Sequence, residues 1–234
     1  MLQQLREEVL EANLALVRHG LVVLTWGNVS GRDAETGLVV IKPSGLAYGR
    51  MKASDMVVVS PNGEVVEGDL RPSTDTPTHL ALYEGMPGIG GVVHTHSTWA
   101  TAWAQARRAV PVLGTTHADM CPGPVGVTRH LSGAEVAGGY EAATGRVVLE
   151  EVGGRSPGEV PAVLVAGHGP FCWASSAQAA VEVAVTLEQV AKMAWLTVGL
   201  GPSTEEVALP AYLVEQHFNR KHGPGAYYGQ EGHR

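Results

Sequence analysis

His94-Thr95-His96 closes the apolar run Gly90-Gly91-Val92-Val93. In a β-strand successive side chains point to opposite faces, so the two imidazoles would share one face and Thr95 the other. Two imidazoles side by side suit a divalent metal, zinc above all. With 10 histidines among 234 residues, an H-x-H pair alone is a weak signal. Two further residues give it context. His168 stands between glycines, which permit a tight turn and close backbone approach. Asp75 precedes the helix-start signal Thr76-Pro77, where a carboxylate is also favoured by the helix dipole. Zinc at catalytic sites takes three protein ligands and keeps a position open. His94, His96 and His168 offer three, and Asp75 a fourth. On spacing alone, a turn histidine and an ordinary helix cap stand as the alternative readings of His168 and Asp75. His19, His79, His130, His217, His222 and His233 have no such pairing, and His19 reads as a helix C-terminal residue.

Three segments pair small residues with turn chemistry: Trp26-Gly27-Asn28-Val29-Ser30, Lys42-Pro43-Ser44-Gly45 and Pro72-Ser73-Thr74-Asp75. Hydroxyls, an amide, glycine N–H groups and one lysine are good donors to phosphate oxygens. The candidate anion binders are Gly27, Asn28, Lys42, Ser44, Gly45, Ser73 and Thr74. Singly, each segment is a turn. Three together, one of them running into a helix N-terminus where anions are favoured, point to a phosphorylated substrate. H-E-x-x-H, G-x-x-x-x-G-K-[ST] and G-x-S-x-G are absent, and Gly88-Ile89-Gly90-Gly91 precedes a strand, so it is no dinucleotide fingerprint.

The elements that must position these residues read as follows. Leu2 to Arg18 is an amphipathic helix stopped at Gly20. Leu21 to Leu24 and Leu38 to Ile41 read as neighbouring strands, and Met56 to Ser60 as another before the turn Pro61-Asn62-Gly63. Thr76 caps a helix with Pro77 first in it, ending at Gly85. Gly91 to His96 is a strand, and Ser97 caps the helix through Trp99, Trp103 and Ala106. Gly123 to Arg129 is loop, and Ala134 to Ala143 is helical despite Gly138-Gly139. Ala162 to Ala166 and Phe171 to Trp173 flank the His168 turn. Ser176 caps a long helix to Thr197, a last helix spans Thr204 to Lys221, and residues 223–234 form a tail. One α/β domain over 1–234 follows, a central, mostly antiparallel sheet covered by helices.

Composition narrows the function. Hydrophobic content of 44% and charged content of 17% fit a packed globular chain. The net charge of −7, with only a short Arg220-Lys221-His222 cluster, gives no footprint for nucleic acid. The N-terminus lacks a signal-peptide core, and Glu182, Glu188, Gln189 and Lys192 break the most apolar stretch, so no membrane span is expected. Two cysteines, Cys121 and Cys172, suit a reducing cytoplasm.

Seven blocks in order carry a resemblance: Leu24 to Ser30, Ile41 to Gly45, Asp75-Thr76-Pro77-Thr78-His79, Val93 to Ser97, Gly114-Thr115-Thr116-His117-Ala118-Asp119, His168-Gly169-Pro170-Phe171 and Ala226-Tyr227-Tyr228-Gly229-Gln230. From Met1 to about Gln230 the chain resembles the L-ribulose-5-phosphate 4-epimerases, a branch of the class II aldolase/adducin family. In the related fuculose- and rhamnulose-phosphate aldolases a glutamate stands near the position of Asp75, so its aspartate is epimerase-like. Ser73-Thr74 departs from the usual two serines but keeps the hydroxyl, and Met120-Cys121-Pro122 is uncommon after the aspartate.

The resemblance implies Zn2+ on Asp75, His94, His96 and His168, other divalent ions also being suited to imidazole. It implies that Asp119 and Tyr228 are the catalytic acid/base pair, and that the active sites lie between subunits of a four-fold (C4) homotetramer. The reaction implied interconverts L-ribulose 5-phosphate and D-xylulose 5-phosphate. C4 lies too far from the C2 ketone for enolisation to invert it, so C3–C4 cleavage through an enediolate, rotation of glycolaldehyde phosphate and re-addition remain. The alternatives are a class II sugar-phosphate aldolase and a non-catalytic adducin-like module.

Overall fold

The structure is a computed structural model that describes residues 2–201 and 203–229. Seven strands, β1 (Asn28–Arg32), β2 (Val39–Ile41), β3 (Val57–Val59), β4 (Val65–Glu67), β5 (Gly91–His94), β6 (Ala162–Leu164) and β7 (Pro170–Ala174), form one sheet. Their order is β4-β3-β2-β1-β5-β7-β6, and every neighbouring pair is antiparallel. β2 and β3 are runs of β-branched residues because both faces are covered there, whereas the middle strand β1 carries polar residues.

One face carries Val29, Val40, Val58, Val93 and Cys172, packed against α1 (Gln3–Arg18), α3 (Thr98–Ala106) and α7 (Ala177–Gly199). The other carries Val39, Ile41, Val57, Val59, Val92, Phe171 and Trp173, packed against α2 (Thr76–Gly85) and α6 (Tyr140–Val152). Three further α-helices are α4 (Thr115–Met120), α5 (Gly133–Ala137) and α8 (Ala211–His222). This is the expected sheet-and-helix architecture.

Several boundaries differ from the sequence reading. Leu21 to Leu24 is no strand: Leu24 adopts a left-handed φ of 54° and its side chain is exposed. The strand begins at Asn28, inside a segment read as an anion loop. Asn13 of α1 fixes it there, donating from Nδ2 to the Val29 carbonyl at 3.1 Å and accepting from the Val29 N–H at 3.0 Å. The short edge strand β4 was missed, since its two valines are exposed and carry no core pattern. The helix read over 134–143 is two helices, broken at Gly138-Gly139, where Gly139 takes a φ of 126°. The last helix starts at Ala211, seven residues late, because Pro210 disfavours helix in the residue before it. Gln230 and the rest of the tail lie outside the described residues.

Candidate active site

β5 ends at His94, so His96 is not on the strand, contrary to the sequence reading. The two imidazoles converge even so, with Nε2 atoms 3.1 Å apart. The tight turn after β6 brings in His168. Gly169 is required there, because a Cβ at that position would lie 2.5 Å from the Thr95 carbonyl oxygen. His94, His96 and His168 then offer ligand atoms all within 4.8 Å of one another.

Each ring is held in a particular way. The His94 Nδ1–H donates to the Pro170 carbonyl at 3.0 Å, which leaves its Nε2 lone pair facing the cluster. Phe171 stacks on the same ring, centroids 4.2 Å apart and planes 14° from parallel. The Tyr140 hydroxyl lies 3.2 Å from His168 Nδ1. Burial, more than anything else, lowers the pKa of all three imidazoles. The neighbouring rings add to this for His94 and His168, while Asp75 opposes it for His96 and His168. The set is therefore neutral at neutral pH, the form a metal requires.

The donors fit a divalent ion. Tetrahedral zinc with Zn–N of about 2.0–2.1 Å separates ligand nitrogens by about 3.3 Å, close to the 3.1 Å between His94 and His96. The partners on His94 and His168 are the outer hydrogen bonds that orient metal-ligating histidines.

A cleft of about 400 Å3 opens over the triad, lined by Gly27, Asn28, Lys42, Ser44, Gly45, Ser73, Thr74, Asp75 and the three histidines. All seven anion-binding candidates thus share one cavity with the imidazoles. Asp75 lines it too but falls outside the tight group of three. It is the N-cap of α2, where the sequence had pointed to Thr76, and its side chain caps nothing. Its Oδ2 accepts from Asn28 Nδ2 at 2.6 Å.

The same Nδ2 donates to Ser73 Oγ at 3.1 Å, so both Asn28 donors are occupied. Asn28 thereby orders Ser73 and Asp75. Lys42 is buried, and burial pulls its ammonium pKa down while the charge of Asp75 opposes. The Ser73 N–H donates to the Lys42 carbonyl at 2.9 Å and the Ser44 N–H to the Arg71 carbonyl at 2.9 Å, tying the two loops together.

Asp119 and Tyr228 do not line this cleft. They meet at α8 instead. Asp119 accepts from Arg220 Nε at 2.9 Å and Nη2 at 2.5 Å and contacts His217 Nδ1 at 3.1 Å. The Tyr228 ring packs under Lys221 Nζ at 4.4 Å and the Arg220 guanidinium at 5.1 Å. Partial burial pushes the Asp119 carboxyl pKa up, but the bonds from Arg220 and His217, with the charge of Lys221, bring it below the usual range. The Arg220-Lys221-His222 cluster is thus an internal counter-charge.

Tyr140 and Glu141 line the cleft unforeseen. They open α6 just after Gly138-Gly139, and that helix break was the available signal. His217, at the far end of the chain from Asp119, left none.

Against known proteins, the Class II Aldolase and Adducin N-terminal domain matches residues 7–195. An L-ribulose-5-phosphate 4-epimerase UlaF of Salmonella paratyphi C is 56% identical over 230 residues, 98% of this chain and 100% of that protein. Among solved structures, an L-fuculose 1-phosphate aldolase superposes with a TM-score of 0.78 at 29% identity, covering 93% of this chain and 95% of that one. YgbL of Klebsiella pneumoniae, described as a putative aldolase/epimerase/decarboxylase, follows at 0.74 and 27%, covering 92% and 97%. With a family match over most of its length and a close relative over nearly all of it, the chain belongs to the class II aldolase and adducin family.

Proposed function

We propose that this protein interconverts L-ribulose 5-phosphate and D-xylulose 5-phosphate in the cytoplasm, by breaking and remaking the C3–C4 bond. The observation that carries the reading is one cleft that joins three neutral imidazoles to the Lys42, Ser44, Ser73 and Thr74 loops. The 56% identity to a named 4-epimerase supports the substrate. The two buried, unpaired cysteines, Cys121 and Cys172, suit the compartment. No described helix is long and apolar enough to cross a membrane.

His94, His96 and His168, with Asp75 beside them, would hold a divalent ion, which when bound would supply Lewis-acid stabilisation of the charge left on the ketone fragment. The residues of the chain do the rest. Lys42 and the hydroxyls of Ser44, Ser73 and Thr74 hold the phosphate, so the two-carbon aldehyde stays bound after cleavage. A base takes the C4 hydroxyl proton as the C3–C4 electron pair passes to the three-carbon fragment. The aldehyde turns over about its phosphate tether, the bond re-forms on its other face, and an acid returns the proton.

Asp119 and Tyr228 serve as this pair, one for each face, and act from a neighbouring subunit of a C4 homotetramer. Neither lines the cleft within one chain, which supports that assignment. Arg220 keeps Asp119 ionised, the protonation state a base needs, while lowering its basicity.

Incubation with L-ribulose 5-phosphate tests the reading. Xylulose 5-phosphate should form, and chelation of the metal should stop it. Accumulation of free glycolaldehyde phosphate and dihydroxyacetone would instead establish an aldolase, the reading favoured by the likeness to a fuculose-phosphate aldolase. Tyr228→Phe should lower turnover by at least about 100-fold, the range of general acid–base catalysis. A fully active variant would remove Tyr228 from the mechanism.

A further inference from the structure

Glu188, midway along α7, is buried and turns both carboxylate oxygens to the start of α3. The Trp99 N–H donates to Oε1 at 2.9 Å and the Ala100 N–H to Oε2 at 3.0 Å. These are the second and third residues of α3, whose N–H groups have no acceptor within their own helix. Ser97 occupies the cap position and is of a type that ordinarily caps its own helix, yet it makes no such bond. Its hydroxyl accepts from Thr95 Oγ1 at 3.2 Å instead. The cap is therefore supplied by a different helix.

The same face of α7 grips the rest of α3. The Ala191 carbonyl accepts from Trp103 Nε1 at 3.0 Å, Lys192 Nζ lies 5.7 Å from the Trp99 ring, and the Trp195 ring lies 5.6 Å from it. Positions 188, 191, 192 and 195 recur at helical spacing, so these contacts come from one stripe.

His96 directly precedes the cap residue. His94 is anchored by Pro170 and Phe171, and His168 by Tyr140. The His96 ring, among the described residues, hydrogen-bonds only to His94. Outside the triad its ring neighbour is Trp26, 6.5 Å away between centroids, so the backbone that enters α3 carries much of its placement, and Glu188 holds that backbone.

We propose that Glu188 is a positioning residue for His96, setting metal affinity through the first turn of α3. This rests on the reading of the three imidazoles as a metal site. The test is zinc affinity of the metal-free protein, measured by chelator competition, with Co2+ absorption as a second readout. In Glu188→Gln one acceptor is replaced by an amide donor facing an N–H. Zinc affinity should fall at least about 3-fold, short of the about 10–100-fold for a group that bonds the ligand itself, and the Co2+ spectrum should change.

Trp103→Phe loosens the same helix pair further along α3. It should lower the Tm and leave affinity intact. Glu188→Asp keeps the charge but shortens the reach; it should weaken zinc as well, and it decides the matter if the Gln variant does not fold. Wild-type affinity in the folded Glu188 variants, or an equal loss in Trp103→Phe, overturns the proposal. Wild-type protein that binds no divalent ion overturns the metal reading, and this one with it.

Discussion

His79 lies fully buried beside the cleft, with Nδ1 2.7 Å from Ser30 Oγ and its Nε2 unpaired among the described residues. Burial lowers its pKa to about 3, with Asp75 opposing and His94 adding. An unfolded histidine titrates near 6.5. Between these values the unfolded chain binds the extra proton, so stability is complete above pH 6.5 and is lost as pH falls toward 3. The contribution at stake is at most about 5 kcal/mol. In metal-free protein the urea midpoint should drop steadily from about pH 6.5 to about pH 4, and His79→Gln should make that slope shallower, leaving the share of the other buried imidazoles.

At Lys42 a different outcome is expected. Lys42→Met should raise KM for the sugar phosphate at least 10-fold and leave zinc affinity unchanged, read by steady-state kinetics and metal titration. At this scale the sequence was most legible where chemistry is local. H-x-H, G-H-G and the Ser/Thr turns declared themselves, whereas Tyr140 beside His168 and Glu188 beside Trp99 are pairs that only folding brings together.

Among the elements, the start of α7 crosses β5 at close range. A Cβ on Gly91 would fall 2.3 Å from the Ser176 carbonyl oxygen and 2.4 Å from the Ala177 nitrogen. Gly91→Ala should therefore cost several kcal/mol in chemical unfolding, as overpacking against backbone does, and should weaken metal uptake because β5 ends in His94. Ser176 accepts from the Ala179 N–H and so caps α7, as its sequence position suggested. Ser176→Ala should cost only about 1 kcal/mol. Apolar runs such as Val57–Val59 revealed their strands. Asn28–Arg32 hid as a loop because its polar residues answer to side chains at and within α2, Asn28 to Asp75 and Ser30 to His79 and Tyr83.

For the molecule as a whole, the separation of Asp119 and Tyr228 from the cleft is the telling fact. If each site joins two neighbouring subunits, two inactive variants should repair one another. His96→Asn and Tyr228→Phe, each inactive alone, should regain about a quarter of wild-type activity after equal mixing and reassembly, since a quarter of adjacent pairs then carry both intact halves. No recovery, with mixed oligomers confirmed by native mass spectrometry, would place each site within a single subunit. The class of fold could be read from sequence because helices and strands announce their periods. Assembly could not, since a half-buried aspartate under an arginine looks the same on either side of an interface.

Asn28, His94 and Phe171 are direct partners across three adjacent strands, β1, β5 and β7. They form one rung of the ladder. Asn28 orders Ser73, His94 stands among the imidazoles, and Phe171 backs its ring. Neighbouring strands keep a spacing of about 4.8 Å. The gap between the Ser73 end of the cleft and its imidazole end is thus graduated by main-chain hydrogen bonds; under the proposed function the sheet itself is a ruler for the length of the sugar phosphate.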